Sequence, residues 1–404
     1  MVPSGWELTC LGDVADTTMG YAFKSKDFVK NGIPLIRMGN LYQNKLDLDR
    51  SPIFLPPEFS AEYERFLLKS GDLVMSMTGT MGKRDYGFTV QIPERTPDSL
   101  LNQRVMKFDN KTHSDLEYLK YLLRSETFLA RLYAFPGGTK QANLSAKQVS
   151  AIPVLLPLLP EQRKIAKILS TWDKAISTTE KLIETSKQQK KALMQQLLTG
   201  KKRLVNPETG KNFDRRWEDA LLNQLAVIAM GSSPKSEAYN EIGEGLPLLQ
   251  GNADIKFRKS APRIYTSQIT KKCSVGDILL SVRAPVGSVA KSLHDACIGR
   301  GIASIQAKKN IVQEFVYQWL LSFEPKWGMF SQGSTFEAVN SNDIKTLQVS
   351  IPIFAEQQQI ASVLTIADKE IEVLEAKLAH FKQEKKALMQ QLLTGKRRVV
   401  VDAA

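Results

Sequence analysis

The sequence predicts an α+β fold in which two similar mixed α/β domains alternate with two long helices that pack against each other as a coiled coil. The clearest sign is a repeat, because the 404-residue chain contains KKALMQQLLTGK at 190–201 and again at 385–396. A second sign is a heptad pattern shared by the two segments that carry this repeat. These observations predict four segments, with bounds at 1–157, 158–203, 204–352 and 353–404.

The first and third segments share short echoes in the same order. GDLVMSM at 71–77 and GDILLSV at 276–282 each predict a turn that enters a buried strand. Met19-Gly20 is similarly matched by Met230-Gly231. Each of these regions then ends in a short apolar strand that closes with proline. The two domains are therefore predicted to share a fold and to differ on their surfaces.

The second and fourth segments predict long helices. Apolar residues alternate at spacings of four and three through both of them, over about five heptads. Glu161 and Glu356 fall in the first turns, where the helix dipole favours a carboxylate. Gly200 and Gly395 are predicted to end the helices, because glycine is the usual residue after a helix C-terminus. Trp172 is predicted to pack inside the helix pair.

The charge of the chain indicates a polyanionic partner without identifying it. Lysine and arginine total 55 against 42 acidic residues, a net charge of +13. Residues 156–205 hold 11 basic and 4 acidic residues, so more than half of the excess lies on the first repeat segment. The runs Lys201–Arg203 and Lys396–Arg398 suit either phosphate contact or the helix dipole, and the sequence leaves both open.

The motifs that build common active sites are missing from the sequence. The three cysteines and three histidines have no metal-ligand or disulfide spacing. No phosphate loop, dinucleotide fingerprint, zinc-protease motif or nucleophile elbow occurs. We therefore expect a chain that is not an enzyme and binds no cofactor or metal itself. The start lacks a signal peptide, and no apolar run is long enough for a membrane, so a cytoplasmic protein is expected.

Taken together, these features resemble the DNA specificity subunit of type I restriction–modification enzymes. The resemblance extends over essentially the whole chain. It is carried by the duplicated helix ends and by the two helix starts, PEQRKIAKIL at 160–169 and AEQQQIASVL at 355–364. The loop SMTGTMG at 76–82 and the run GGTKQANLS at 137–145 are similar to stretches of that family's target-recognition domains. The corresponding stretch of the second domain, SVRAPVG at 281–287, departs from them.

The resemblance implies a division of labour. Each target-recognition domain would read one half of a split, asymmetric DNA site. The helices would pair antiparallel, with pseudo-two-fold symmetry, as a ruler that sets the gap between the halves. Two methyltransferase subunits would dock on this frame and methylate adenine with S-adenosylmethionine. A restriction subunit would then join to translocate and cut DNA with ATP and magnesium.

Candidate DNA contacts are cations and amides, together with Tyr86. Several follow a predicted strand or a glycine-rich turn, whereas Arg104 and Arg300 precede strand-like segments. Arginine suits guanine, and asparagine or glutamine suits adenine. The alternatives are surface ion pairs, solvated turns and side chains that bond local backbone. Arg104 and Arg300 are expected at roughly corresponding places. The candidates are Lys83, Arg84, Tyr86, Arg104, Lys140, Gln141, Asn143, Arg258, Arg263, Arg283 and Arg300.

Outward helix residues Met194, Gln195, Met389 and Gln390 are the candidates for docking the methyltransferase, because a duplicated surface suits one partner bound twice. Two other classes of function compete with this interpretation. A coiled-coil adaptor that binds proteins through its paired domains needs no DNA contact. A nuclease or methyltransferase acting alone needs the motifs that are missing.

Overall fold

The computed structural model describes residues 2–135, 141–327 and 338–401. The chain forms two compact units, of which the first combines Met1–Thr179 with Lys377–Ala404 and the second is Glu180–Ala376. Both boundaries fall inside the long helices. Each unit therefore holds one α/β region together with a piece of both helices.

The long helices are Leu159–Leu197 and Phe354–Leu392, of 39 residues each. Each begins two residues after the proline that closes the apolar strand. Gly200 and Gly395 follow the ends with φ of +69° and +67°, the left-handed conformation predicted for them. The other α-helices within the described residues are Leu11–Val14, Phe59–Glu62, Leu116–Leu123, Glu126–Tyr133, Ala146–Ser150, Leu222–Leu225, Gln313–Phe323 and Ser341–Lys345. Short 3-10 turns are Ser25–Asp27, Met38–Asn44, Glu64–Phe66, Ser236–Ala238, Asn252–Asp254 and Glu324–Lys326.

The described part of the first unit has two four-stranded sheets, ordered β2-β10-β6-β8 and β4-β3-β9-β5, with the pairs β1-β12 and β7-β11. Within the second sheet β3 and β9 run parallel, and the other pairings between these strands are antiparallel. The strands are β1 (Glu7–Cys10), β2 (Ala15–Met19), β3 (Ile33–Ile36), β4 (Phe54–Leu55), β5 (Leu67–Leu68), β6 (Leu73–Ser76), β7 (Thr78–Thr80), β8 (Thr89–Gln91), β9 (Ser99–Leu101), β10 (Val105–Asn110), β11 (Gln141–Asn143) and β12 (Pro153–Leu156).

The described part of the second unit has a six-stranded sheet, β14-β24-β21-β22-β18-β17, a five-stranded sheet, β15-β19-β16-β23-β20, and the pair β13-β25. Here β16 and β23 run parallel, as β3 and β9 do in the first unit. The strands are β13 (Glu218–Leu221), β14 (Ala226–Met230), β15 (Tyr239–Asn240), β16 (Leu246–Leu249), β17 (Ile255–Lys256), β18 (Lys259–Ser260), β19 (Ile264–Thr266), β20 (Lys272–Cys273), β21 (Ile278–Ser281), β22 (Val289–Lys291), β23 (Ala296–Ile298), β24 (Ile302–Ala307) and β25 (Gln348–Ile351).

The sequence echoes mark one backbone frame that both units use. The two Gly-Asp turns enter β6 and β21, whose residues are all buried. The paired glycines Gly20 and Gly231 lie where chain segments touch. A Cβ on either would lie 2.1 Å from a carbonyl oxygen, that of Asn102 or of Gly299. Only glycine fits such a close approach, which accounts for this echo.

The long helices complete the core of each unit. In the first unit Ile165 and Leu169 of the first helix and Leu392 of the second are buried with Phe108 and Tyr118 of the α/β region. In the second unit the equivalent cluster contains Leu197, Ile360 and Leu364. Burial of this apolar area is the main stabilising term for the unit. The helix ends therefore belong to the domain cores.

Within each unit the two helical segments run antiparallel. In the first unit Trp172 lies edge-on to Phe381, with ring centroids 5.6 Å apart, so the packing role predicted for the tryptophan agrees with the structure. Lys385 Nζ there lies 2.6 Å from Asp173 Oδ1. The second unit has the equivalent pair, Lys190 Nζ to Asp368 Oδ1, at the same distance. A charged residue at a heptad core position that has a single partner specifies the register of the helices.

Each helix start carries a buried carboxylate held by an arginine of the other helix end. Arg398 donates two hydrogen bonds to Glu161, at 2.7 and 2.8 Å, and Trp6 Nε1 donates a third. In the second unit Arg203 donates twice to Glu356, at 2.7 Å each. The sequence offered phosphate contact or the helix dipole for these arginines. The structure gives them a third role, as bidentate partners of buried glutamates.

Candidate nucleic-acid interface

Equivalent two-residue turns lie between β9 and β10 and between β23 and β24. Val105 N donates to Asn102 O at 2.9 Å, and Ile302 N donates to Gly299 O at 3.0 Å. This register aligns Arg300 with Gln103, and Arg104 with Gly301. Arg104 and Arg300 therefore lie on corresponding turns, as expected, but at positions that differ by one residue. Spacing in the sequence could not detect this, because the loops before the two turns differ in length.

In the second unit this turn borders an open cleft of about 840 Å³ that brings together Arg263, Arg283 and Arg300. Arg283 and Arg300 are exposed, and neither side chain forms an ion pair with a described residue. Arg263 Nε instead donates to Asp254 Oδ1 at 2.8 Å, and Asp254 is buried. The cleft thus contains two cations available to a ligand and a third that is held in place.

The cleft wall also contains two amides that are not among the predicted contacts. Gln250 and Asn252 line it beside the arginines. Gln250 follows β16, so its backbone is fixed by the parallel pairing with β23. A bidentate amide beside a guanidinium is the combination that reads base edges in the major groove. The sequence around Gln250 gives no specific signal, because an amide after a short apolar run is common elsewhere.

Arg258 lies outside this group of three. Its guanidinium is paired with Glu324 and donates to the Val289 carbonyl at 3.1 Å. Burial lowers the pKa of Arg258, but the hydrogen bonds and charge of Glu324 outweigh that effect and raise the pKa above its usual value. In the structure Arg258 therefore forms an ion pair, which was the alternative to a DNA contact. A DNA contact by Arg258 stays a prediction, and it would require this pair to open.

The first unit builds a different group on the same frame. Arg104 donates to Asn143 Oδ1 and to Thr78 Oγ1, the latter at 3.4 Å. Thr78 and Asn143 are neighbours across β7 and β11, and their side chains are hydrogen-bonded at 3.0 Å. Gln141, at the other end of β11, is exposed. Gln141 and Asn143 therefore lie on one edge strand and Arg104 reaches that strand from the neighbouring turn, while Lys140 lies outside the described residues.

The three candidates on the glycine-rich turn after β7, Lys83, Arg84 and Tyr86, differ in exposure and in pairing. Lys83 is exposed and has no ion pair with another described residue, whereas Arg84 lies 2.5 Å from Glu126. Tyr86 is only 4% exposed, and its ring meets the Tyr133 ring edge-on. Burial raises the pKa of the Tyr86 hydroxyl. Tyr86 is therefore part of the core, because an aromatic ring following the turn packs inward, and the candidate surface here consists of Lys83 and Arg84.

The candidate docking residues occupy the duplicated helix ends. Gln195 and Gln390 are exposed. Met194 and Met389 are half-buried and pack against the cores of their own units. Each helix end thus presents one free amide beside a methionine that is already partly used for packing.

The described residues contain no group of three or more histidine, cysteine or acidic side chains arranged to hold a metal ion. None of the helices in the described ranges is long and apolar enough to cross a membrane.

Comparison with known proteins assigns the family. The model of the type I restriction modification DNA specificity domain matches residues 3–187 and 215–383. A Methanocaldococcus jannaschii protein assigned as the MjaX type I restriction enzyme specificity subunit is 31% identical, over 98% of this chain and 95% of its own. The EcoBI specificity subunit of Escherichia coli is 24% identical, over 89% of this chain and 78% of its own.

Solved structures share the fold. The crystal structure of the type I restriction–modification S subunit from M. genitalium matches with a TM-score of 0.64 at 14% identity, covering 97% of this chain and 96% of that one. A chain from a study of complex assembly and conformational transition in a type I system matches with a TM-score of 0.58 at 22% identity, covering 98% and 100%. The family model and the M. jannaschii relative confirm the resemblance, and with it the prediction of a specificity subunit rather than an enzyme. The chain belongs to the family of type I restriction–modification DNA specificity subunits.

Proposed function

We propose that each α/β region is a target-recognition domain that reads one half of a bipartite, asymmetric DNA site. The observation that carries this proposal is the cleft of Arg263, Arg283 and Arg300 in the second unit, whose frame recurs in the first unit with different side chains. A common backbone allows both domains to approach a groove in the same way. Different side chains at its edge suit two different half-sites.

The paired helices set the number of base pairs between the half-sites in this proposal. A spacer suits that role when its register cannot slip, because major-groove faces recur about every 34 Å along the duplex. The pairs Lys190–Asp368 and Lys385–Asp173 support it, since each lies in its own unit and opposes slippage there.

We further propose that two methyltransferase subunits dock on the duplicated helix ends, around Met194, Gln195, Met389 and Gln390, with a restriction subunit joining through them. S-adenosylmethionine, ATP and magnesium would be bound by those partners in the cytoplasm. The repeat supports this arrangement, because 12 identical residues at 190–201 and 385–396 offer the same surface twice.

Long-read methylation mapping tests the proposal in cells that carry this chain with its methyltransferase. One strain has the natural chain, and a second has residues 1–157 exchanged for the same domain of another family member. We expect a bipartite methylated-adenine motif whose first half alone changes on exchange. A motif that changes in both halves would contradict independent reading. Absence of any motif, with an active and complexed methyltransferase, would favour the protein-binding adaptor.

A further inference from the structure

The two equivalent turns have the same backbone hydrogen bond but carry different side chains. Each follows a strand that lies parallel to a neighbour, with Leu101 beside Ile36 and Ile298 beside Leu249. The first central residue of the turn is Gln103 in one unit and Arg300 in the other. Both are exposed, and neither side chain has a hydrogen bond or ion pair with another residue in the described ranges.

A second pair of equivalent positions beside the turns shows the opposite change, with arginine in the first unit and glutamine in the second. Asn102 N donates to Ile36 O at 3.1 Å, and Gly299 N donates to Leu249 O at 2.8 Å. The residues that follow these acceptors are Arg37 and Gln250, at equivalent positions. At these two equivalent positions each unit therefore has one guanidinium and one amide, Gln103 with Arg37 in the first unit and Arg300 with Gln250 in the second. The first turn carries Arg104 in addition, where the second has Gly301.

The turns are also rigid. A Cβ on Gly301 would lie 2.2 Å from the Gln250 carbonyl oxygen, so the second turn is packed directly against the end of β16. Three backbone hydrogen bonds around the first turn, from Tyr21, Gln103 and Val105, hold it at 2.9 Å each. A free side chain on such a turn is preorganised for a ligand and loses little backbone entropy on binding.

We propose that Gln103 and Arg300 are equivalent specificity-determining residues, which read base edges in the major groove. Gln103 selects adenine in the first half-site, and Arg300 selects guanine at the corresponding place in the second. A phosphate contact is the weaker explanation, because glutamine carries no charge, whereas glutamine and arginine are both bidentate base readers. This inference rests on the proposed function, in which each domain reads one half-site.

The test uses the complex of this chain with its methyltransferase and duplex oligonucleotides built from the mapped motif. Each base pair of both half-sites is substituted in turn, and the dissociation constant is measured. Arg300→Gln is expected to change discrimination at one G·C pair of the second half-site about 5- to 150-fold, leaving the other positions unaltered. Gln103→Arg is expected to change one A·T pair of the first half-site in favour of G·C.

Two further variants separate base reading from charge and from misfolding. Arg300→Lys retains the cation but loses the planar fork, so discrimination should fall while the salt dependence of binding stays unchanged. Lys309→Gln removes an exposed cation near the other end of β24 and should leave the base preference as it was. Co-purification of each variant with the methyltransferase shows that the subunit is folded.

Two outcomes would overturn the inference. Equal weakening on every duplex, with a salt slope reduced by about one, would make Arg300 a phosphate contact. An unchanged preference in both Arg300→Gln and Gln103→Arg would remove both residues from base reading. Failure of the proposed function looks different, since the natural chain would then show no bipartite motif at all.

Discussion

Equivalent sheet edges in the two units both present a guanidinium group, but they do so with different side chains. In the first unit Thr78 and Asn143 face each other across β7 and β11, and Arg104 reaches them from the neighbouring turn. In the second unit Arg283 occupies the place of Thr78, opposite Ala338. Both edges thus present a guanidinium, one held by hydrogen bonds and one free. The two guanidiniums come from different backbone positions, the turn before β10 for Arg104 and the residues just after β21 for Arg283, and they also differ in how firmly they are held.

The largest expected effect concerns the buried glutamates that the two units share. Arg203→Gln should lower the free energy of unfolding by about 3–5 kcal/mol, because it leaves Glu356 charged and unpaired in the core. Arg398→Gln should cost less, since Arg398 is 43% exposed against 22% for Arg203 and water can replace more of its contact. Denaturant unfolding of the purified chain measures both.

The exposed neighbours Lys202 and Arg397 provide the controls for that experiment. Their glutamine variants remove the same charge without touching a buried carboxylate and should unfold like the natural chain. Equal losses in Arg203→Gln and Lys202→Gln would mean that net charge, and not the buried pair, determines stability.

The next effect tests the difference between the two sheet edges. Arg283→Ala should weaken binding to the mapped target by about 1–3 kcal/mol, because a free guanidinium in the cleft is lost. Arg104→Ala should have a smaller effect, since Arg104 must give up its bonds to Asn143 and Thr78 before it can contact DNA. Fluorescence anisotropy at fixed salt compares them, and a larger loss for Arg104→Ala would reverse the assignment.

The smallest effect separates neighbouring cations on the turn after β7. Lys83→Gln should reduce the salt slope of DNA binding by about one without changing base preference. Arg84→Gln should reduce it less, because Arg84 is paired with Glu126, a surface ion pair that contributes about 0.2–1 kcal/mol to stability. Titrations at several salt concentrations measure both slopes. Equal slopes in the two variants would show that the ion pair does not hold Arg84 back.

Much of the fold was predictable because its signals are local and repeated. The heptad pattern, the glycines after the helices and the Gly-Asp turns each depend on a few neighbouring residues, and each agrees with the structure. The candidate site was less accessible. The sequence marks Arg263, Arg283 and Arg300 as separate candidates, but their arrangement around one cleft depends on strands that are far apart in the chain.

The sequence alone determined the plan of this protein. Two divergent α/β regions, two near-identical helix ends and the absence of catalytic motifs follow from residue order, because turns, caps and periodicity are short-range properties. Only the tertiary structure decided which charges are free. Arg203, Arg258 and Arg398 are held by carboxylates 66 to 237 residues away, and Tyr86 is buried. Pairing and burial arise when distant segments pack. The sequence therefore shows which cations are present, and only the fold shows which of them are paired with a carboxylate and which are free.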